Sequence, residues 1–341
     1  MTTRLVIAGD IGGTNTRLLA SELHGDGRVV DRLRERFASQ EHPSLEAIAS
    51  RFLASLRARG VTGPVVSAAV GVAGPVVDGA SRLTNLRWVI EPGSLARALE
   101  CPRARVLNDF HCLALAAPTL PADALAVLQR PAPRARLDTR PYAIIGAGTG
   151  LGEAIAVSVG GRLRVLASEG GHADFAPGDE VELELLRFLR ERHAHVSWER
   201  LVSGPGIVTL HEFVVRRGLA PARPETAEAL ARADDPAAAI SDRGLAGDDP
   251  ACARALELFL ELYGAEAGNL ALKCLPGRLY VAGGIAPRLL PRLRGGGFMR
   301  RFLAKGRMQS VLEDILVAVV LEPQAGLLGA RAAAIAAAHE S

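Results

Sequence analysis

No Gly-Lys pair occurs anywhere in the 341 residues. The chain therefore lacks a P-loop, whose G-x-x-x-x-G-K-[ST] pattern needs that pair. Lysine itself is confined to Lys273 and Lys305, so the positive charge is carried almost wholly by arginine. The arginines are scattered and the net charge is only +3, which argues against a nucleic-acid surface. The densest patch is Arg288, Arg292, Arg294, Arg300 and Arg301, and it reads as a solvated helical face. Cysteine is equally scarce. Cys101, Cys112, Cys252 and Cys274 form no C-x-x-C pair and have no metal-ligand spacing to a histidine, so they read as thiols of a reducing compartment. No apolar run reaches the roughly 20 residues that a membrane span needs. The Ala-rich stretch Gly329–Ala338 comes nearest, and Arg331 interrupts it. The opening MTTRLVIAGD has neither the apolar length nor the cleavage site of a signal peptide. Together these absences predict a cytoplasmic protein with no nucleic-acid or membrane partner.

What is present is a folded globular composition, with 49% hydrophobic and 23% charged residues. The length suits two domains or one large split one. Leu5–Ala8 reads as a strand entering the turn Asp10-Ile-Gly-Gly-Thr-Asn15, and Thr16–Ala20 as the returning strand. Val29–Phe37 alternates as a third strand. Ser44–Arg59 has helical periodicity, with Leu45, Ile48, Phe52, Leu53 and Leu56 on one face and Gly60 as a stop. Pro64–Val72 is a buried strand. Three strands, a helix and a further strand predict a mixed sheet.

A second cycle follows the exposed connection Pro131–Arg140. Tyr142–Ile145 is a strand, Gly146–Gly152 a Gly/Thr turn, and Glu153–Val159 the return. LVIAGDIGGTNTRLL and YAIIGAGTGLGEAIAV thus share one plan, a weak repeat that predicts two related domains, each offering a Gly-rich hairpin to a shared cleft. Ala220–Pro250 reads as a surface excursion with a helix inside. Leu256–Leu275 is a long helix whose Gly264, Ala267, Gly268 and Ala271 permit close packing, in the core or at a dimer interface. Arg278–Val281 is a strand entering Ala282-Gly283-Gly284-Ile285.

Glycine lets backbone N–H groups approach phosphate oxygens, and a Thr hydroxyl adds a donor. Both Gly/Thr turns therefore suit a nucleotide, against the alternative of two ordinary hairpins. Asp10 beside the first can hold Mg²⁺ through water. A Rossmann fingerprint fails, because Leu151 occupies its third glycine position and a strand follows. Asn108-Asp109 ends an apolar run and opens a helical stretch, which fits either an oriented acid or an N-cap. Ser168-Glu169-Gly170-Gly171-His172-Ala-Asp174 packs acids and an imidazole round two glycines. It suits a polyhydroxylated ligand, or is a turn with a structural histidine. A zinc site from His172, His193 and His195 matches no closed-site spacing. Glu199 reads as a capping-box neighbour or a surface acid.

In order, GDIGGTNTRL, GVAGPV, LTNLRW, LNDF, GAGTGLG, EGGHADFAP, HVSWERLVSGPG, VAGGIAPR and GLLGA run nearly end to end. The set resembles the bacterial glucokinase family, of the sugar kinase, Hsp70 and actin superfold. The resemblance implies a two-domain α/β fold, actin-like and ribonuclease H-like, with an inter-domain cleft. It divides the chain into a small domain of 1–108 plus 323–341 and a large one of 109–322. It implies ATP-dependent phosphorylation of glucose at the 6-hydroxyl, with Asp109 as base. Asn108, Asp109, Glu169, His172 and Glu199 would bind the sugar. Gly9, Asp10, Ile11, Gly12, Gly13 and Thr14, with Gly148, Thr149 and Gly150, would form the phosphate loops. Gly283 and Gly284 would form the adenosine-side turn, with ATP and Mg²⁺ as cofactors and a homodimer as the assembly. The chain departs from the family's pattern at Ala220–Pro250 and at Leu86 and Arg87. It also lacks the Cys/His zinc motif and helix-turn-helix of the related repressor–kinase family. Rival readings are a kinase for mannose, fructose or N-acetylglucosamine, a non-catalytic sensor or actin-like ATPase, and a zinc hydrolase.

Overall fold

The computed structural model describes residues 4–83, 86–131, 137 and 140–340. Thr84 and Asn85 of the Leu83–Trp88 segment, and most of the 131–140 connection, lie outside the described residues. The chain forms two compact units, Met1–Pro121 with Glu322–Ser341, and Ala122–Leu321.

In the first unit the strands are β1 (Arg4–Ile11), β2 (Asn15–Leu23), β3 (Val29–Ala38), β4 (Val65–Val72), β5 (Val76–Val77), β6 (Ala80–Leu83), β7 (Trp88–Ile90) and β8 (Ala104–Asn108). The helices are α1 (Leu45–Ala58), α2 (Pro92–Ala98) and α3 (Asp109–Ala116). The main sheet runs β3-β2-β1-β4-β8. Its first three strands are antiparallel, and β1, β4 and β8 are parallel, so the sheet is mixed as the element order predicts. β1 is apolar on both faces because both are covered. Leu5, Ile7 and Ile11 join Leu45, Ile48, Phe52 and Leu56 of α1. The alternate residues Val6 and Ala8 join the C-terminal helix Ala325–Ala338. α1 starts where Ser44 Oγ accepts the Ala47 N–H, at 3.3 Å. It stops before Gly60, whose φ is +77°. The C-terminal helix packs on α3, β4 and β1. Its Gly329 lies so close to the Cys112 carbonyl that no side chain would fit there. This packing keeps residues 109–121 in the first unit, so the break falls after 121 rather than after 108.

In the second unit the strands are β9 (Leu125–Gln129), β10 (Tyr142–Ala147), β11 (Leu151–Val159), β12 (Arg162–Ser168), β13 (Arg278–Ala282) and β14 (Leu316–Val320). The sheet order is β12-β11-β10-β13-β14-β9. It repeats the plan of the first, with an antiparallel trio β12-β11-β10 and parallel neighbours β13 and β14. Its longer helices are α4 (Glu180–Arg190), α5 (Gly204–Arg216), α6 (Pro224–Ala231), α7 (Pro236–Ala246) and α8 (Pro250–Cys274). α8 is core. Gly264 and Gly268 lie against the backbone of Phe298 and Phe302 in the helix Gly297–Leu303, leaving no room for a Cβ. The arginine patch is not one solvated face. Arg301 pairs with the buried Glu182, and Arg292 donates to the Gly244 carbonyl at 2.7 Å. Among the described residues no helix is long and apolar enough to cross a membrane.

Candidate active site

In the first unit, parallel pairing brings three strand ends level. Asp10 of β1 lies opposite Gly71 of β4, and Val72 opposite Asn108 of β8. The carboxyl ends of parallel strands are where open α/β sheets present their ligands. The Gly9–Thr14 segment ends β1 and turns into β2. The Gly12 N–H donates to the Asn15 carbonyl at 2.9 Å, and Ser39 Oγ donates to the Gly12 carbonyl at 2.8 Å. Thr14 is left exposed on the turn. The Asp10 carboxylate pairs with Arg17 Nη1 at 3.0 Å.

Asn108 is the N-cap of α3. Its Oδ1 accepts the N–H groups of Phe110 and His111, at 2.9 and 3.4 Å, and its Nδ2 donates to the Gly74 carbonyl at 2.9 Å. Capping thus falls to Asn108, and Asp109 stands one residue later, half-buried, in the helix's first turn. Its Oδ1 accepts the Phe110 N–H at 2.9 Å. The positive end of the helix favours the carboxylate there. Cys112 lies between the charges of Asp109 and Asp10, and its burial pushes the thiol well up, so it is inert.

In the second unit the turn Gly148–Gly150 joins β10 to β11, closed by the Gly148 N–H on the Gly150 carbonyl at 2.8 Å. The Gly204 N–H at the start of α5 donates to the Gly148 carbonyl, also at 2.8 Å. Two distant segments are then stitched together. Phe175 N–H donates to Val196 O at 2.9 Å, Trp198 N–H to Ala173 O at 3.1 Å, and the Phe175 and Trp198 rings meet edge-on at 5.0 Å. That stitching sets Glu199 Oε1 at 3.9 Å from His172 Nδ1, and His172 Nε2 lies 4.0 Å from Glu169 Oε2. Glu199 Oε2 accepts the Leu151 N–H at 3.0 Å, beside Gly150, where a Cβ would overlap it. Glu199 is therefore neither a capping-box residue nor a solitary surface acid. It ties the Gly/Thr turn to the Glu169–His172 loop.

A pocket of about 530 Å³ opens beside this turn. Gly148 and Thr149, Gly204 and Pro205, and Gly284 and Ile285 line it. So do Pro236, Ala237, Ala238 and Ser241 of α7. Its size suits a nucleotide-sized ligand. The 13-residue α5 starts at this turn, so its positive end favours an anion there, although the Gly204 and Gly206 N–H groups are taken by Gly148 and Ser203 and Pro205 has none. Gly283 has φ +84° and crowds the Ala147 carbonyl, so the backbone can make this turn only with glycine. Sequence reasoning missed Gly204, Pro205 and the α7 wall, because that wall belongs to the excursion read as surface. It also missed Arg288, which lines the pocket and pairs with Asp242 at 2.6 Å.

His172, His193 and His195 do line a common hollow, but among the described residues they form no metal-sized ligand cluster. The cluster that does occur is His211, Asp249 and Cys252. There the Asp249 carboxylate caps α8 and takes hydrogen bonds from the Arg223 and Cys252 N–H groups and the Thr226 hydroxyl. The positive end of a 25-residue helix is a poor seat for a cation.

Two mixed sheets of one plan, each with a Gly/Thr hairpin between neighbouring inner strands, are the architecture of the actin-like sugar kinases. Residues 7–337 match the Glucokinase family model. A glucokinase of Trichormus variabilis is 40% identical over 339 residues, covering 96% of this chain and 97% of that one. One of Yersinia pestis is 37% identical over 331 residues, covering 97% and 96%. The crystal structure of a glucokinase from an Antarctic psychrotroph superposes with a TM-score of 0.82 at 32% identity, covering 98% of this chain and 99% of that one. The chain belongs to the glucokinase family.

Proposed function

We propose that the protein transfers the γ-phosphoryl group of ATP to the 6-hydroxyl of glucose. The observation that carries this reading is the double engagement of Glu199, which links a Gly/Thr phosphate turn to an acid–imidazole–acid set. A related structure, the glucokinase of Streptomyces griseus, was solved with glucose and AMPPNP. Glu169, His172 and Glu199 hold the sugar hydroxyls, and the family resemblance gives Asn108 the same task. A site built to pair with hydroxyls rejects sugars lacking them, because its own polar groups are left unmatched.

ATP takes the pocket beside Gly148–Gly150 with its phosphates toward that turn. Magnesium fits Asp10. Its carboxylate is about a third exposed and holds Arg17 on one oxygen, leaving the other for an ion that keeps most of its water. When bound, the ion neutralises charge on the transferring phosphoryl group. Asp109 orients the 6-hydroxyl and takes its proton, a task worth about 10²–10⁴ in rate. The family resemblance supports a homodimer and a cytoplasmic location.

The test is initial-rate phosphorylation of glucose, mannose, fructose and N-acetylglucosamine with Mg-ATP, for the native chain and D109N. Preference for glucose, with turnover lost and glucose binding kept in D109N, is expected. Activity confined to another sugar overturns the substrate, and near-normal turnover in D109N overturns the base.

A further inference from the structure

A buried pair of carboxyl groups lies against the Glu169–His172 turn, and phosphoryl transfer makes no use of it. Glu153 on β11 is 2% exposed and pairs across the sheet with Ser168, the last residue of β12. Ser168 Oγ accepts the Gly170 N–H at 3.0 Å. Gly170 has no room for a side chain, because a Cβ would overlap Glu153 Oε2. The Glu153 carboxyl thus touches the backbone of the turn that carries Glu169 and His172.

Beside it stands Glu266 of α8, fully buried. Glu266 Oε2 accepts Asn269 Nδ2 at 2.8 Å, and its Oε1 lies 3.5 Å from Lys273 Nζ. Asn269 in turn accepts Lys305 Nζ at 2.6 Å, and Lys305 also donates to the Ala265 carbonyl at 2.9 Å. Glu266 is therefore equipped with donors suited to an anion. Glu153 is not, for its Oε1 is buried with no hydrogen-bond partner. Two anions in so dry a site repel, and one of them keeps a proton.

We propose that Glu153 is a positioning residue for the sugar, a protonated carboxyl that leans on Glu266 and sets the Glu169–His172 turn for glucose. This rests on the reading of that turn as the sugar site. Burial first, then the charge of Glu266, pushes the Glu153 carboxyl up to about 8, while Lys273 opposes the shift. Tyr263 and Cys274 of α8 also face the pair. Burial raises both of them, Cys274 to about 11, and lowers Lys305. Once Glu153 ionises, its carboxylate draws on the N–H groups of the turn, that of Gly170 among them, and the turn shifts.

The test is KM for glucose and kcat from pH 7 to 9 at saturating Mg-ATP, for the native chain, E153Q, E266Q and E169Q. A turn that binds only while Glu153 is protonated raises the native KM about tenfold by pH 9. E153Q flattens that rise, and kcat follows pH in parallel in the two proteins. E266Q removes the charge that helps hold the proton on Glu153, so it moves the rise to lower pH, and it carries the test if E153Q does not fold. A native rise that persists unchanged in both variants, or no native rise, overturns the inference. E169Q is expected to raise KM at pH 7. If it does not, the sugar-site reading fails. If it does while the pH profiles stay parallel, only the role of Glu153 fails.

Discussion

Replacing Glu199 by alanine should weaken two substrates at once, and replacing it by glutamine only one. The side chain makes two distinct engagements, Oε2 on the Leu151 N–H at 3.0 Å and Oε1 toward His172 at 3.9 Å. In E199Q the amide oxygen still accepts the Leu151 N–H, so the Gly148–Gly150 turn keeps its shape. What is lost is a charged acceptor for a sugar hydroxyl. Hydrogen bonds to charged groups are worth about 1.5–3 kcal/mol, or about 10- to 150-fold in KM for glucose. KM for ATP should stay within about twofold. E199A also strips the turn of its acceptor. A net loss of about 1 kcal/mol there corresponds to about fivefold in KM for ATP, added to the glucose defect. Steady-state kinetics with each substrate varied in turn separates the two. An E199A enzyme with native KM for ATP would refute the link between turn and loop. An E199Q enzyme with native KM for glucose would remove Glu199 from the sugar.

Gly150→Ala should reproduce the E199A pattern, because a Cβ there would displace the same carboxylate oxygen; native kinetics would show that the crowding relaxes at no cost. Phe52→Ala removes a ring that is 0% exposed between α1 and the first sheet, and should destabilise the protein by about 3–5 kcal/mol in urea unfolding. Stability should also depend on pH through Glu153. Its folded carboxyl holds a proton up to about 8, whereas the unfolded one releases it near 4.5. The native form binds more protons across that interval, so stability falls as pH rises through it and then levels off. Tm measured from pH 5 to 9 should slope less in E153Q than in the native chain, and equal slopes would contradict the assignment.

The hairpins were legible because their cause is local. Apolar runs broken by Gly/Thr turns specify β1–β2 and β10–β11 with little outside help, and Ser44 and Gly60 bracket α1. The Asn108-Asp109 pair was visible as a cap, although only the hydrogen bonds decide which residue caps. Glu199 was not legible as a link, because its partners lie at Leu151 and His172 and only the pairing of Ala173–Phe175 with Val196–Trp198 joins them. The α7 wall was hidden for a similar reason. An Ala-, Pro- and Asp-rich stretch looks like exposed connection until Thr226 is found buried on Asp249. One signal was available and unused. A single acid, Glu153, interrupts the apolar strand Leu151–Val157, and an ionisable group at an inward position rarely lacks a partner.

The C-terminal helix has a consequence for how the protein is made. Val6 and Ala69 of the first sheet are covered by Ala333 and Ala334, and Ser67 donates its hydroxyl proton to the Ala334 carbonyl. The ribosome delivers that cover only after the whole of Ala122–Leu321 has emerged. One face of the earliest sheet must therefore wait, bare and apolar, while the later unit is synthesised and can already close. Nascent chains arrested before Glu322 should be the ones that chaperones hold, and release of the last helix is the event that ends the vulnerability.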